Sequence, residues 1–456
     1  MGRSPRWLVL SVVLVAAVMD LLDATVMNVA APTVRAGLGG GEATMQWLTA
    51  GYTLAFGVLL VVGGRLGDRW GRRRLFLIGA AGFTLASVAC AAAMSPEMLV
   101  AARVAQGGLG ALMIPQGFGI LSAVFTDGRE RGRAFSLFGP VSGLAGIGGP
   151  IVAGMLIAWD LGGLDWRLIF LVNVPLGVFA VLGALAWMPA DPGDRAARFD
   201  PVGATLVAAG SAALVLPLIQ GREAGWPWWT FATLAAGMIA FGAVGIRQRT
   251  SASPILSPTL LRKRPFVAGL AVAVVFFAGI GGLMLLLSLF LQLSLHYSAL
   301  HAALALAPVA AGIAVGSLLA PALVSRLGRA LLHVGLGMEL LGVAGLTVVV
   351  ATGAGTTAFA VAGLATGLGL GLLFGPLIQR ILAAAAPDEI GSASGTLNAA
   401  QQIATALGVA VLGTVFFAAT DPRAGLVAGT LIVAVSCVFC AVLVLLLPRR
   451  TVGKPS

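Results

Sequence analysis

Long apolar runs, separated by short polar turns, fill almost the whole chain. Each run has roughly 20 residues or more and lacks the period-two alternation of a barrel strand, so it predicts a helix able to cross a bilayer. The longest connecting loop, 247–265, is too short for a soluble domain. The fourteen runs lie at roughly 7–31, 45–66, 75–95, 97–121, 133–158, 167–189, 200–219, 228–246, 266–291, 301–324, 331–352, 355–381, 391–418 and 422–447. The pattern predicts an all-α membrane protein with fourteen transmembrane helices.

The amino-acid composition indicates the same class. Of the 456 residues, 59% are hydrophobic and only 10% are charged, which is more apolar surface than soluble cores can bury. The first run follows Arg3 and Arg6, as a signal peptide would, but it is too long for one and it contains Asp20 and Asp23. We therefore expect the first run to be a retained span.

The formal net charge of +11 does not predict a nucleic-acid partner, because the basic residues are distributed as in a membrane protein. With the N-terminus in the cytoplasm, 23 of the 28 Lys and Arg residues fall on cytoplasmic segments and four on outer segments, while Arg103 lies inside a span. This positive-inside pattern predicts a multi-pass protein with both termini in the cytoplasm. The Ala-, Gly- and Arg-rich composition is typical of a GC-rich bacterial genome and predicts the bacterial plasma (inner) membrane.

The loop between the second and third runs has the pattern GxxxDRxGRR. Its glycines permit a tight turn, and Asp68 is predicted to lie at the N-terminal end of the third helix, where a carboxylate is favoured. A degenerate copy at 321–329, in which Ser325 replaces Asp68, predicts an internal repeat. A basic cytoplasmic turn would explain the arginines but not the spacing. We predict that the two loops act as conformational latches, with candidate residues Gly64, Asp68, Arg69, Gly71, Arg72, Ser325, Arg326 and Arg329.

This spacing resembles the signature loop of the major facilitator superfamily. Leu22–Pro32 and Trp166–Gly177 resemble the first-span and sixth-span signatures of its fourteen-span drug:proton antiporters, with Leu168 where a second Trp is common. With Gly391–Gly395 at the start of span thirteen, the resemblance covers essentially the whole chain.

The resemblance implies the major facilitator fold, with two six-helix bundles, 1–190 and 251–456, and two extra linking helices within 191–250. It implies a substrate cavity at the bundle interface and a multidrug efflux antiporter that works by alternating access. The drive is then the proton gradient, with no cofactor. We expect a monomer whose partners are the lipid bilayer, protons and a small-molecule substrate.

Three charged side chains in spans one and four are candidates for proton coupling. Asp20 and Asp23 share one helix face, and two close carboxylates in a low dielectric cannot both ionise cheaply. Arg103 lies about as deep as Asp23, roughly 10 Å from the outer end of its run, so a pair is geometrically possible. The resemblance adds that Asp23 belongs to the first-span signature and that Arg103 matches a span-four motif linked to proton transfer. The alternatives are a purely structural ion pair and an arginine that snorkels to the interface.

Span five is rich in Gly and Pro, which favours a thin, bendable helix. Its seam candidates are Gly146, Gly149, Pro150 and Gly154. They resemble the antiporter motif of family exporters, with Ala153 interrupting the usual GPxxGG. Simple packing between helices is a compatible explanation.

Four further side chains are predicted to line the substrate cavity: Met27, Gln106, Glu339 and Asn173. Glu339 is the third carboxylate inside a span, and it is a candidate for binding a cationic substrate or a second proton.

The sequence has no P-loop, metal-binding cluster or nucleophile–base pair, so we expect a protein that is not an enzyme and is powered by an ion gradient. One alternative is a dedicated exporter of one metabolite, such as an antibiotic that the host itself makes. A second, from a different class, is a membrane receptor or channel. Concentrative, proton-dependent efflux would exclude a receptor or a channel.

Overall fold

A computed structural model describes residues 5–127, 130, 133–134, 137–194, 200–250, 258–386 and 389–447. In these ranges the chain is helical, with short 3-10 and π turns and no strand. The long helices are α1 (Pro5–Leu38), α2 (Glu42–Trp70), α3 (Arg72–Ala91), α4 (Pro96–Val124), α5 (Phe138–Trp159), α6 (Asp165–Trp187), α7 (Pro201–Gln220), α8 (Trp228–Thr250), α9 (Arg264–Leu289), α10 (Ala299–Leu327), α11 (Ala330–Thr352), α12 (Thr356–Leu382), α13 (Ile390–Ala418) and α14 (Pro422–Val444). The apolar runs therefore form helices, and the predicted all-α class is confirmed.

Twelve helices in the described ranges are long and apolar enough to cross a membrane. A thirteenth candidate is α2, which bends by 47° between its parts Glu42–Leu60 and Val62–Trp70. The fifth predicted run falls on α5, of which Gly148–Trp159 is described with its side chains, and residues 135–136 of that run lie outside the described residues. The count of fourteen spans stays a prediction.

Helix α1 is longer than its run predicted. It continues through Pro32 to Leu38. A proline removes only one backbone hydrogen bond, and neighbouring helices can satisfy the backbone group that is freed. Asp23 consequently lies about 22 Å from the C-terminal end of α1 at 1.5 Å per residue, farther from that end than the sequence indicated.

The described part of the chain forms two compact units, Met1–Pro217 with Trp228–Ile255, and Leu218–Pro227 with Leu256–Ser456. In the first unit α4 packs against α2 and α3, α1 against α5 and α6, and α3 against α6. In the second unit the same pairs recur eight helices later: α12 packs against α10 and α11, α9 against α13 and α14, and α11 against α14. This repeated pairing supports the internal duplication that the two loops predict. The predicted boundaries at 190 and 250 stay predictions.

Helices α7 and α8 form a hairpin. Gly210 and Gly237 lie where the two helices are closest, since a Cβ on Gly210 would be 3.2 Å from the Phe241 ring and one on Gly237 would be 3.1 Å from the Gly210 carbonyl oxygen. At one end the buried Asp200 carboxylate accepts hydrogen bonds from Arg247, with an Nη2–Oδ1 distance of 2.9 Å. The hairpin is therefore closed by an ion pair as well as by apolar contact.

The two units use glycine in equivalent helix crossings. A Cβ on Gly107 of α4 would lie 2.2 Å from the carbonyl oxygen of Tyr52 on α2. A Cβ on Gly367 of α12 would lie 2.0 Å from the carbonyl oxygen of Val309 on α10. Both obstacles are backbone atoms, which cannot rotate away as a side chain can, so each crossing requires glycine.

We expect Gly107→Ala and Gly367→Ala each to destabilise the fold by about 1–3 kcal/mol through overpacking. Each should therefore lower the thermal midpoint of the purified protein in detergent. The control is Gly337→Ala on α11, where a Cβ meets nothing within 4 Å. Alanine is the better helix former, so this control should be neutral or stabilising. Three equal midpoints would contradict the close crossings.

Each unit also ties the start of its first helix to the loop before its fifth helix. Arg6 forms an ion pair with Glu130 at 3.0 Å in the first unit, and Lys263 pairs with Glu389 at 2.6 Å in the second. Hydrogen bonds from Lys263 and from the Thr259 hydroxyl hold the pKa of Glu389 down at about 2. Glu389 precedes α13 and lies outside the membrane-spanning segments.

The Glu389 ties should make stability depend on pH. Because the folded pKa is depressed, their contribution is full above the ordinary pKa of 4.5 and is lost as the pH falls from there towards about 2. The difference in thermal midpoint between the wild type and Glu389→Gln should therefore narrow on acidification through that window. A difference that is independent of pH would contradict the assignment.

Candidate functional site

Asp23 lies at the centre of a buried polar cluster in the first unit. The residue is 1% exposed, and both carboxylate oxygens accept hydrogen bonds. Oδ2 accepts a short hydrogen bond from Arg103 Nη1, while Oδ1 accepts from Gln106 Nε2 and Asn173 Nδ2, each at 2.9 Å. Three helices, α1, α4 and α6, thus meet at one carboxylate.

Arg103 is fully buried and does not snorkel. Besides Asp23, its guanidinium donates to the Gln106 Oε1 at 2.7 Å and, through Nε, to the carbonyl oxygen of Leu48 on α2 at 3.1 Å. Its Cζ lies 4.4 Å from the centre of the Tyr52 ring, a cation–π contact. The guanidinium is therefore held by charge, by hydrogen bonds and by an aromatic face.

Ser87 on α3 forms the back of the cluster. Its Oγ accepts from Gln106 Nε2 at 2.7 Å and from Asn173 Nδ2 at 3.2 Å. The two amides therefore bridge Ser87 and Asp23. The Asn173 Oδ1 has no hydrogen-bond partner among the described residues, although it is buried.

Asp20 occupies a separate position one turn before Asp23. Its Oδ1 accepts a hydrogen bond from the Tyr52 hydroxyl at 2.6 Å, and the residue is 9% exposed. The same tyrosine thus touches Asp20 through its hydroxyl and Arg103 through its ring.

Glycines bring the helices of the cluster together. Gly107 allows α4 to reach α2 beside Tyr52, and a Cβ on Gly110 would lie 3.2 Å from the Asp20 Oδ1. On the opposite side of α1, a Cβ on Gly149 of α5 would lie 2.0 Å from the Thr25 Oγ1. Gly149 thus makes the α1–α5 contact close, and Gly146, Pro150 and Gly154 lie in the same helix.

In this cluster the two buried charges of Asp23 and Arg103 compensate each other. A buried ion pair is stable only while both partners are present, and removing one typically costs about 3–5 kcal/mol because the other charge is left uncompensated. A proton on Asp23 would leave Arg103 as a buried cation without its counter-ion.

Five of the predicted residues meet in this cluster: Asp20, Asp23, Arg103, Gln106 and Asn173. Met27 is fully buried in the core, and Glu339 lies in the second unit on α11, 2% exposed, with no partner for its Oε2 among the described residues. Sequence reasoning missed Tyr52 and Ser87. The signal for Tyr52 was available, because a tyrosine in the middle of an apolar span requires a partner for its hydroxyl.

The second unit contains a cavity of about 460 Å³. It is lined by apolar and aromatic side chains, among them Phe290, Tyr297 and Phe359, with Arg423 as its one charged lining residue. None of the four predicted substrate-cavity residues lines it.

The α2–α3 loop is fixed by the segment that follows α6. Gly71 has a φ of 94°, and a Cβ there would lie 2.1 Å from the Asp191 carbonyl oxygen. The Asp191 side chain accepts a hydrogen bond from the backbone N–H of Arg72, the first residue of α3, at 3.1 Å. Hydrogen bonds from the backbone N–H groups of Gly193 and Arg72 lower the pKa of Asp191.

The predicted place of Asp68 was wrong. It lies in the last turn of α2, not at the start of α3, and it forms an exposed ion pair with Arg72 at 3.0 Å. The carboxylate at the N-terminus of α3 is that of Asp191, because Gly71 turns the chain only after α2 has ended at Trp70. Gly64 and Arg69 also lie within α2.

The second copy of the loop has a related construction. Gly328 has a φ of 57° between α10 and α11, and Ser325 bonds to its own helix through the Ala322 carbonyl at 2.8 Å. Arg329 donates to the carbonyl oxygens of Leu445 and Leu447 at the end of α14. Arg73 does the same for Ala184 and Leu185 at the end of α6. Each unit thus has an arginine at the negative end of its sixth helix. The remaining candidate of this loop, Arg326, lies in the last turn of α10.

We expect Gly71→Ala to release the α2–α3 loop, since it forces a side chain into a left-handed backbone and against the Asp191 carbonyl. Limited trypsin digestion in detergent should cleave at residues 72–74 faster by a factor of about 5–30, which corresponds to roughly 1–2 kcal/mol. Asp68→Asn removes only an exposed ion pair and should change the rate little. Equal rates in the two variants would show that Asp191 does not fix the loop.

Comparison with known proteins assigns the chain to a family. The family model described as Major Facilitator Superfamily matches residues 13–409. A probable actinorhodin transporter of Streptomyces coelicolor is 49% identical over 420 residues, 90% of this chain and 72% of that protein. A puromycin resistance protein of Streptomyces alboniger is 36% identical over 430 residues, 92% of this chain and 84% of that protein.

A solved structure shows the same fold. The xylose transporter from E. coli superposes with a TM-score of 0.65 at 16% identity, covering 100% of both chains. The repeated helix pairing thus belongs to a fold that the two proteins share. The chain is a member of the Major Facilitator Superfamily and an integral membrane transporter.

Proposed function

We propose that this protein exports small amphipathic or cationic molecules, antibiotics among them, in exchange for protons, as a fourteen-span drug:proton antiporter with both termini in the cytoplasm. The observation that carries the proposal is the Asp23 carboxylate, which is buried in the first unit and bound by Arg103, Gln106 and Asn173. Ionisable groups at this depth of a membrane transporter are costly and are therefore candidates for ion coupling.

Proton uptake at Asp23 has a defined consequence. The neutral acid no longer balances Arg103, and its new O–H needs an acceptor. Asn173 offers one, because its Oδ1 has no partner among the described residues and rotation of the amide would present it to Asp23. The protonated site thus exchanges an ion pair for an acid–amide hydrogen bond and releases Arg103 to move with α4.

This exchange supplies the coupling in the proposed cycle. Protonation from outside neutralises Asp23, together with Asp20, and favours the return to the inward-facing state. Substrate binding and proton release on the inside then complete the exchange. A ligand shifts such an equilibrium only through its different affinity for the two states, and the proton meets this requirement because Arg103 is paired in one state and released in the other.

A dedicated exporter of one antibiotic is the second candidate. Two relatives named for single antibiotics, a probable actinorhodin transporter at 49% identity and a puromycin resistance protein at 36%, support a narrow substrate range. Expression in an efflux-deficient bacterial host distinguishes the two. Raised resistance to puromycin, actinorhodin and ethidium together supports a multidrug exporter, whereas resistance to one compound alone supports a dedicated one.

We expect Asp23→Asn to abolish proton-driven transport. Everted membrane vesicles with an acidic interior would be incubated with the compound, among puromycin, actinorhodin and ethidium, to which the resistance test shows raised resistance. The variant should lose accumulation by about tenfold or more, since an uncharged amide cannot exchange a proton. Glu97→Gln, at the exposed start of the same helix as Arg103, should accumulate like the wild type. Accumulation by Asp23→Asn, or by the wild type after the pH gradient is collapsed, would refute proton coupling.

A further inference from the structure

We propose that Asp20 and Tyr52 form a proton-binding site of their own, and that Tyr52 transmits the charge of Asp20 to the Arg103–Asp23 pair. The proposal rests on the proton coupling proposed above and assigns a positioning role to Tyr52. It gives Asp20 a proton-binding site separate from the ion-paired site at Asp23.

The surroundings of the two carboxylates differ. Asp23 has a guanidinium on one oxygen and two amide donors on the other. The hydrogen bond that the described residues give to the Asp20 side chain comes from the Tyr52 hydroxyl. A neutral phenol stabilises a carboxylate less than a cation does, so a proton binds Asp20 without breaking an ion pair.

Few other groups can set the charge of Asp20. Helix α1 packs against α2, α4, α5 and α6. The titratable and charged groups that face Asp20 are Tyr52 from α2, Arg103 from α4 and Asp23 from α1 itself. Within the bilayer, α5 from Gly148 to Trp159 and α6 from Asn173 to Trp187 have no ionisable side chain.

Tyr52 is placed to connect the two carboxylates. Its hydroxyl is 2.6 Å from the Asp20 Oδ1, and its ring centre is 4.4 Å from the Arg103 Cζ. A phenol that donates to a charged acceptor becomes more electron-rich, and its ring then attracts a cation more strongly. When Asp20 binds a proton, this attraction weakens, and Arg103 is held less firmly above the ring.

The close crossing of α2 and α4 keeps this arrangement fixed. Gly107 brings α4 against the Tyr52 backbone, and Gly110 lies beside the Asp20 carboxylate. A change in the charge of Asp20 therefore alters the attraction between Tyr52 and Arg103 without rearrangement of the backbone.

The test needs no substrate. The full chain, reconstituted in lipid, would be titrated with pH while infrared difference spectra are recorded, and Asp20→Asn would identify the carboxyl band of Asp20. In Tyr52→Phe, which keeps the ring and removes the hydroxyl, the pH midpoint of that band should move upward by about one pH unit, roughly tenfold in proton affinity. The chain has only two tyrosines, so Tyr297→Phe in the second unit is the matched control and should leave the midpoint unchanged.

The guanidinium bands of Arg103, identified with Arg103→Lys, report the coupling. In the wild type they should shift at the Asp20 midpoint; the shift should be smaller in Tyr52→Phe and absent in Tyr52→Leu, which lacks the ring as well. An unchanged Asp20 midpoint in Tyr52→Phe, or guanidinium bands that ignore the Asp20 titration, would overturn the proposal. Size-exclusion chromatography checks that each variant is folded.

The result is separable from proton-coupled transport. If Asp23→Asn abolishes transport while Tyr52→Phe leaves the spectra unchanged, coupling stands and the role of Tyr52 fails. If the spectra change as expected while Asp23→Asn still transports, the Asp20–Tyr52 site binds protons as proposed, and the proton coupling of export through Asp23 fails.

Discussion

The ion pair between Asp23 and Arg103 is the constraint on which the first unit depends. Removing a carboxylate or a guanidinium from water has an effective cost of several kcal/mol per ion, and their attraction offsets it only when the remaining donors and acceptors are also satisfied. Gln106, Asn173, Ser87 and the Leu48 carbonyl fulfil that condition from four different helices. The helices must therefore approach one another closely, which is why Gly107 faces a backbone carbonyl.

Most of the fold could be predicted from the sequence, because a bilayer allows few structures for long apolar runs. Backbone groups in lipid must bond within the segment, so each run has to be a helix. The loop pattern also predicted an internal repeat, which the paired helices support. The apolar runs could not predict where α1 ends or that α2 bends. Hydropathy indicates which part of a helix faces lipid, and it does not indicate how the backbone is hydrogen-bonded. The position of Asp191 was likewise hidden, because its contact with Arg72 joins residues 119 apart.

The polar side chains of the site could be predicted from the sequence. Asp23, Arg103, Gln106 and Asn173 stood out because polar groups in apolar spans are costly, and that cost holds wherever the helices pack. That these side chains lie close together was a hypothesis. Tyr52 was missed because a tyrosine does not interrupt an apolar run on a hydropathy scale. The same rule identified Glu339, which lies in the second unit, and its place beside the substrate stays a prediction. A rule based on cost identifies which side chains need partners and not which partners they have.

The two units share packing but not charge, and this asymmetry follows from the same physics. The equivalent crossings, Gly107 on Tyr52 and Gly367 on Val309, set α4 and α12 in the same register. Four residues before each glycine, α4 has Arg103 whereas α12 has Gly363, which packs against the Val309 side chain. A close crossing needs only a glycine at the contact point. A buried guanidinium is destabilising until its carboxylate and donors are all in place, and it cannot become neutral. A partial copy of the cluster would therefore be worse than none. Glu339 in the second unit lies beside the Cys437 thiol and needs no counter-charge, because a carboxyl group, unlike a guanidinium, can lose its charge by binding a proton.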